Sequence, residues 1–263
     1  MPSHNKLKSR AAANVVSNIQ IATNIYEMVL HHDDVSRATQ PGQFINLYCN
    51  GKATLLPRPI SICETQSDYG TMKIVYAVVG AGTEEFSQRQ PGDTVDILGP
   101  LGHGYDMHEG VKEHIIVGGG LGIPPLLELT KRLIGKKKVV LGFRDETFLV
   151  DAFKHYADEL YVATNDGSVG EQGTVIDILE RHHIRGDMLY SCGPKAMLEE
   201  VQPWCIQHEI EGQISMEERM GCGFGACVGC VTKVKNQETE QWEYKKICSD
   251  GPIFYAKEVV FDV

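Results

Sequence analysis

The chain lacks any apolar stretch long enough to cross a membrane as a helix. Its longest uncharged apolar run, Ile115 to Leu127, is 13 residues and rich in Gly and Pro. A spanning helix needs roughly 20. Basic residues are outnumbered, 25 Lys and Arg against 35 Asp and Glu, for a formal charge of −10. No segment interleaves aromatic with basic side chains. Both features argue against nucleic acid or an anionic membrane as a partner. The N-terminal stretch MPSHNKLKSRAAANVV carries positive charge but no apolar core, so it does not read as a secretory signal. No internal repeat and no low-complexity run is present, which leaves out repeat architectures.

Cysteine is also scarce, 8 in 263 residues, and unevenly placed. Cys49, Cys63, Cys192 and Cys205 show no even spacing and read as free thiols of a reducing cytoplasm. Cys222, Cys227 and Cys230 crowd into MGCGFGACVGC, and Cys248 follows after VTKVKNQETEQWEYKKI. The pattern C-x4-C-x2-C…C is the plant-type ligand set of a [2Fe–2S] cluster. Each iron takes two soft thiolates, so three on one loop and a distant fourth can close the rhomb. Gly221, Gly223, Gly225 and Gly229 let that loop bend and turn its amides toward sulfur. A four-Cys zinc site would more usually show two separated C-x2-C pairs. Here the grouping is three and one. A chain of this length needs no disulfide staples.

Three regions follow one another, with the expected boundaries 1–108, 109–212 and 213–263. The first holds short strands parted by turn signals, such as QIATNIYEMVL, QFINLYC, RPISIC, TMKIVYAVV and DTVDILG, separated by SDYG, GAG and QPGD. That rhythm predicts a closed antiparallel β-barrel of the Greek-key kind. The second alternates strand and helix: HIIVGG, IPPLLELTKRLI, KKVVLGF, TFLVDAFKHY, ELYVATND, TVIDILERHH, DMLYSCG and PKAMLEEV. This predicts a Rossmann-like parallel sheet covered on both faces. Pro203 is expected to end or kink the last helix. The third region is the Gly/Cys segment followed by a short hairpin.

Within the second region, Val117-Gly118-Gly119-Gly120-Leu121-Gly122-Ile123-Pro124-Pro125 lies between a strand and a helix. Glycines there let the backbone approach a pyrophosphate whose charge rests on the helix N-terminus. Ile123 stands where the usual fingerprint has its third glycine. The prolines suit the first helical turn. About 20 residues on, after the second strand, comes Phe143-Arg144-Asp145-Glu146. Asp145 could bind the ribose hydroxyls of NAD, Arg144 could meet a 2′-phosphate, or the tetrad could be a solvated loop. Ser191-Cys192-Gly193-Pro194 ends the fourth strand, at the edge where open sheets bind ligands.

In the first region, Arg58 can bind a diphosphate and Ser61 can hydrogen-bond an isoalloxazine edge. Gly82 and Thr83 can offer backbone and hydroxyl donors to phosphates. An arginine on a strand can equally be a surface residue with a buried stem. The other two regions tip the balance. NAD(H) exchanges two electrons as hydride, a [2Fe–2S] centre takes one, and a flavin converts between them.

The barrel, nucleotide domain and glycine loop resemble the ferredoxin–NADP reductase superfamily. The R-P-I-S strand, G-T turn, GGGLGIPP, SCGP and terminal C-x4-C-x2-C-x17-C, in this order, are similar to the electron transfer subunits of dihydroorotate dehydrogenase B. The resemblance implies FAD at Arg58, Pro59, Ile60 and Ser61, at Val75, Tyr76 and Ala77, and at Gly82 and Thr83. It implies the cluster at Cys222, Cys227, Cys230 and Cys248, while the glycine loop, the tetrad and the SCGP edge make Gly118, Gly119, Gly120, Gly122, Asp145, Cys192, Gly193 and Pro194 the expected site of NAD(H) as substrate. It further implies a cytoplasmic heterotetramer, two copies each of this chain and of an FMN-containing catalytic subunit. Electrons would pass from FMN through the cluster and FAD to NAD⁺, serving pyrimidine biosynthesis. After the three regions no length remains for the roughly 250-residue (β/α)8 barrel that dihydroorotate oxidation would use. No general acid or base is expected. Ferredoxin reductases proper carry a flavin-stacking Tyr where this chain has Ile60. They also end on an aromatic residue, whereas this chain ends Val259-Val260-Phe261-Asp262-Val263. Both departures favour the dihydroorotate branch. Two other readings compete. One is an iron–sulfur flavoprotein subunit of a ferredoxin:NADP oxidoreductase, sulfide dehydrogenase or hydrogenase. The other is a zinc-stabilised, NAD-sensing module without catalysis.

Overall fold

The computed structural model describes residues 10–51, 54–236, 239 and 241–261. Most of the basic N-terminal stretch, through Ser9, and the last two residues, Asp262 and Val263, lie outside the described residues.

Six antiparallel strands close the first region into a barrel in the order β1-β2-β5-β4-β3-β6. They are β1 (Ala11–Ala22), β2 (Ile25–His31), β3 (Phe44–Tyr48), β4 (Arg58–Gln66), β5 (Thr71–Ala77) and β6 (Thr94–Leu101). Two short helices, α1 (Asp33–Ala38) and α2 (Ala81–Ser87), interrupt them. Inward positions at every second residue, among them Met28, Leu30, Ile45, Leu47, Ile74 and Ile97, are buried and fill the barrel. This is the period-two pattern of a strand with one wet face.

The second region is β7 (Glu113–Gly119), α3 (Pro124–Arg132), β8 (Lys136–Phe143), α4 (Val150–Lys154), β9 (Glu159–Thr164), β10 (Glu171–Gln172), α5 (Val175–Arg181), β11 (Met188–Cys192), α6 (Lys195–Gln207) and β12 (Glu211–Ser215). The third is β13 (Val231–Lys235), β14 (Trp242–Lys246), α7 (Ile247–Asp250), β15 (Ile253–Tyr255) and β16 (Val259–Val260). The large sheet runs β10-β9-β8-β7-β11-β12-β15, parallel except for β15. Ile115, Ile116 and Val117 of β7 are wholly buried in succession, as a strand covered on both faces requires. The order reverses between β7 and β11. That is the switch point where doubly wound sheets bind ligands, and the glycine loop and SCGP leave these two strands.

Three expectations are corrected. Helix α6 does not end at Pro203 but continues through it to Gln207. Pro203 costs one backbone bond to Glu199, but Val201, Trp204 and Cys205 are buried and hold the following turn. TFLVDAFKHY is helical only over Val150–Lys154, because Phe148 turns inward to meet Phe143 edge-on with ring centroids 5.3 Å apart. The third region is more than a hairpin: β16 adds a third strand beside β13, and β15 joins the large sheet.

A buried carboxylate ties the barrel to the nucleotide sheet. Glu128 on α3 is 2% exposed. It accepts from the Thr65 backbone N–H at 2.9 Å, the Thr65 hydroxyl at 3.1 Å and Arg132 Nε at 2.6 Å. Lys131 bonds Glu64 Oε1 and the Thr65 carbonyl, both at 3.1 Å. Strand β4 carries Arg58 to Ser61 at its other end, and α3 begins at the glycine loop. The link therefore sets the two segments relative to each other. Glu128→Ala leaves a buried N–H without its acceptor and takes the carboxylate partner from half-buried Arg132. It is expected to cost about 3 kcal/mol, read as a lowered urea midpoint. An unchanged midpoint would contradict this account.

Candidate functional site

The four cysteines of the C-terminal segment come together as two pairs. Cys222 and Cys227 are within side-chain hydrogen-bonding reach, and so are Cys230 and Cys248. Cys230 and Cys248 are buried and belong to the core cluster that also takes in Phe44 and Leu98 of the barrel and Phe254 of β15. The Ile247 N–H bonds the Cys230 carbonyl at 2.8 Å, which brings α7 and its thiol back to the loop. Among the described residues no group of three or more His, Cys, Asp or Glu side chains is arranged to hold a single metal ion. A [2Fe–2S] centre takes two thiolates on each of its two irons.

Backbone donors surround the sulfurs. The Cys227 N–H points at Cys222 Sγ at 3.4 Å and the Gly225 N–H at Cys248 Sγ at 3.2 Å. Burial pushes the Cys222 thiol up, but the N–H groups of Cys227, Phe224 and Ala226 and the Cys227 side chain outweigh it, bringing it down to about 6. Burial, joined by the Cys230 side chain, pushes Cys248 up to about 12. A bound metal would replace that proton. The residues fit an iron–sulfur centre by donor type, by pairing and by the amides aimed at sulfur.

Two neighbours of this loop carried no sequence signal. Asn46 on β3, wholly buried, donates from Nδ2 to the Cys222 carbonyl at 2.8 Å, while its Oδ1 is buried without a partner. Lys246 donates from Nζ to the Gly225 carbonyl at 2.7 Å. Asn46 lies directly opposite Pro59 in the β3–β4 ladder, so the Cys222 peptide is fastened to the strand beside Arg58–Ser61.

Arg58, Pro59, Ile60 and Ser61 open β4 and are half-buried. The Arg58 guanidinium lies over Gly82, where a Cβ would stand 2.6 Å from Nε. Its Nη1 donates to the Leu56 carbonyl at 2.6 Å. The contact joins two segments 24 residues apart (82 − 58) into one cradle. Gly82 and Thr83, expected just past a turn, lie in the first turn of α2. The Thr83 hydroxyl accepts from Val79 N–H at 2.9 Å and donates to the Gly80 carbonyl at 3.0 Å. It therefore caps the helix, and donors to a phosphate must come from the backbone there. Val75 and Tyr76 are buried and Ala77 is half-buried near the end of β5. The Tyr76 ring faces the barrel interior, its hydroxyl donating to Asn18 Oδ1 at 3.0 Å. Only its backbone remains for a ligand.

Gly118 and Cys192 are register partners at the ends of β7 and β11, so Gly118, Gly119, Gly120 and Gly122 face Cys192, Gly193 and Pro194 across the crevice. Burial pushes the Cys192 thiol up to about 12, and it stays protonated. Glu146 is tied to the barrel by accepting the Thr23 N–H at 2.9 Å. Asp145 is exposed, accepts the Glu146 N–H at 2.8 Å and lies 3.9 Å from Arg144 Nε. Both adjacent carboxylates are exposed just past the end of β8.

Residues 217–260 match the model of the iron-sulfur cluster binding domain of dihydroorotate dehydrogenase B, and residues 12–105 match the oxidoreductase FAD-binding domain. The chain is 42% identical over 256 residues to the dihydroorotate dehydrogenase B (NAD(+)) electron transfer subunit of Caldanaerobacter subterraneus subsp. tengcongensis, covering 97% of this chain and 100% of that one. It is 44% identical to the subunit of the same name from Bacillus mycoides, covering 94% and 96%. Among solved structures, a chain of NADH-dependent reduced ferredoxin-NADP oxidoreductase superposes with a TM-score of 0.85 at 30% identity, covering 95% of this chain and 90% of that one.

Proposed function

The chain belongs to the family of electron transfer subunits of NAD⁺-dependent dihydroorotate dehydrogenase B, and on that footing we propose how its residues relay electrons between a catalytic partner and NAD⁺. The observation that carries the reading is the pair of thiol pairs, fastened through Asn46 to β3, the strand beside the one that opens with Arg58. When bound, FAD would supply hydride exchange with NAD(H) and a [2Fe–2S] centre single-electron transfer with the partner. The chain's own part is to hold and orient these groups. Cys222 and Cys227 would hold one iron, Cys230 and Cys248 the other. Arg58 to Ser61, the backbone of Val75 to Ala77 and the first turn of α2 would hold FAD. The glycine loop and Cys192 to Pro194 would hold the nucleotide, with Asp145 on the ribose. The segments 1–108, 109–212 and 213–263 would serve flavin, nucleotide and cluster in turn.

The partner is an FMN-containing catalytic subunit, two of each chain forming a cytoplasmic heterotetramer. Its docking face includes the cluster loop. Phe224 and Val228 protrude from that loop, 47% and 73% exposed. On the following hairpin Trp242 and Tyr244 are also exposed and pack edge to face at 5.4 Å. A large apolar side chain left in water beside a redox centre marks a contact surface.

Co-purification with the native partner should give dihydroorotate-dependent reduction of NAD⁺. In the chain alone, anaerobic NADH should bleach flavin and iron–sulfur absorbance together. Bleaching of neither, with both cofactors confirmed by analysis, would remove the proposal. Activity with ferredoxin and NADP but none with dihydroorotate would favour the kind of enzyme seen in the 30%-identical structure.

A further inference from the structure

Lys246 stands behind the cluster loop rather than in it. Its Nζ donates at 2.7 Å to the carbonyl of Gly225. That carbonyl and the N–H of Ala226 belong to one peptide unit, and the Ala226 N–H is near enough to the Cys222 thiol to help draw it down, next to the Cys227 N–H that donates to Cys222 Sγ at 3.4 Å. The next peptide back contributes as well, since the Gly225 N–H donates to Cys248 Sγ at 3.2 Å. A half-buried cation is therefore connected to one thiol sulfur through a single peptide group.

The physical consequence follows from polarisation. A cation on a carbonyl oxygen draws electron density through the amide and makes its N–H a stronger donor. A stronger donor to sulfur, together with a nearby positive charge, favours the reduced cluster, which carries one more negative charge. Asp250, at the end of the following helix α7, is the opposing charge nearby. Its Oδ2 accepts the Lys246 backbone N–H at 2.7 Å and its Oδ1 the Ser249 hydroxyl at 3.3 Å. Both of its oxygens are thus engaged by neutral donors, and the ammonium keeps the loop carbonyl. Lys245, the neighbouring cation, is directed at Glu243 at 3.4 Å.

We propose that Lys246 is a positioning residue for the electron relay: it holds the Gly225–Ala226 peptide with its N–H toward Cys222 Sγ and thereby raises the reduction potential of the iron–sulfur centre. The inference rests on the reading that Cys222 is a cluster ligand. Its role lies in the charge and not only in the anchorage, because a neutral donor would fasten the loop without polarising it to the same degree.

The test is an EPR-monitored redox titration of the reconstituted full-length chain and its Lys246→Met, Lys246→Gln and Lys246→Arg variants. Iron content and the shape of the EPR signal confirm an intact centre. In Lys246→Met the midpoint shifts to lower potential, so that at a fixed poise the ratio of reduced to oxidised centre falls about tenfold. Lys246→Gln shifts the same way by less, and Lys246→Arg stays near the parent. If the methionine variant takes up no iron, the glutamine and arginine variants decide by the same ordering. Equal midpoints in all four proteins overturn the proposal. So does a shift in Lys246→Arg as large as in Lys246→Gln, which would mean the lysine matters only through its packing. A parent chain that binds no iron defeats the ligand assignment instead, a distinct result.

Discussion

Cys227→Ser is expected to remove the iron–sulfur absorbance and with it nearly all dihydroorotate-dependent NAD⁺ reduction by the complex, while reduction of an artificial dye by NADH through the flavin is largely kept. The substitution is narrow. It keeps the backbone N–H that points at Cys222 Sγ at 3.4 Å, so the neighbouring thiol keeps its donor. What is lost is one soft ligand of a pair, replaced by a hard oxygen that holds its proton at neutral pH. The flavin strand and the glycine loop are on other elements and are untouched. Cys205→Ser is the control. Cys205 is buried on α6, away from the thiol pairs, beside Gly212, and its replacement should leave the visible spectrum as it was. Parent-like absorbance in Cys227→Ser would refute the ligand set.

The features legible in the sequence are those whose cause is local. Four thiols at plant-type spacing can be read from the string because three of the ligands share one bend of chain. The glycine loop can be read because strand, turn and helix follow directly. Its imperfection also has a local cause: a Cβ on Gly118 would stand 2.9 Å from Ile123 Cγ1. The bare glycine on the strand side makes room for the isoleucine that replaces the third glycine on the helix side. Asn46 could not be found this way. It meets Cys222 across 176 residues, and nothing about an asparagine between Ile45 and Leu47 marks it. Glu128 and Thr65 are likewise joined only by the docking of α3 on the barrel, across 63 residues. The GAG segment reads as a turn because glycine is permissive. Thr83, by capping with its hydroxyl, makes it the start of a helix. Pro203 breaks a helix in isolation and fails to do so here because buried neighbours on both sides restore what the missing bond removes.

Gly122→Ala is expected to weaken NAD(H) binding sharply without disturbing flavin or cluster. A methyl group on Gly122 would fall inside the Cys192 carbonyl group and against the Gly193 nitrogen. These are backbone atoms, and neither side can yield. The β11 end is paired in register with β7, Cys192 opposite Gly118, and the Ser191 hydroxyl bonds the Val117 carbonyl at 3.0 Å. Overpacking of this kind typically costs about 1–3 kcal/mol. The cost falls on the separation of the two loops that form the crevice, so it should appear as a roughly 10- to 100-fold loss of affinity. Gly120 offers the contrast. Nothing lies within 4 Å of a Cβ there, but its φ of +51° is unfavourable for alanine. Gly120→Ala should therefore lose less, on the order of 1 kcal/mol or about fivefold. Calorimetric titration of the flavin-loaded chain with NAD⁺ and NADH measures both. Equal affinities in Gly122→Ala and the parent would mean that the nucleotide does not enter between these loops. A larger loss in Gly120→Ala than in Gly122→Ala would mean that loop conformation, rather than the close approach of β7 and β11, sets the width of the site.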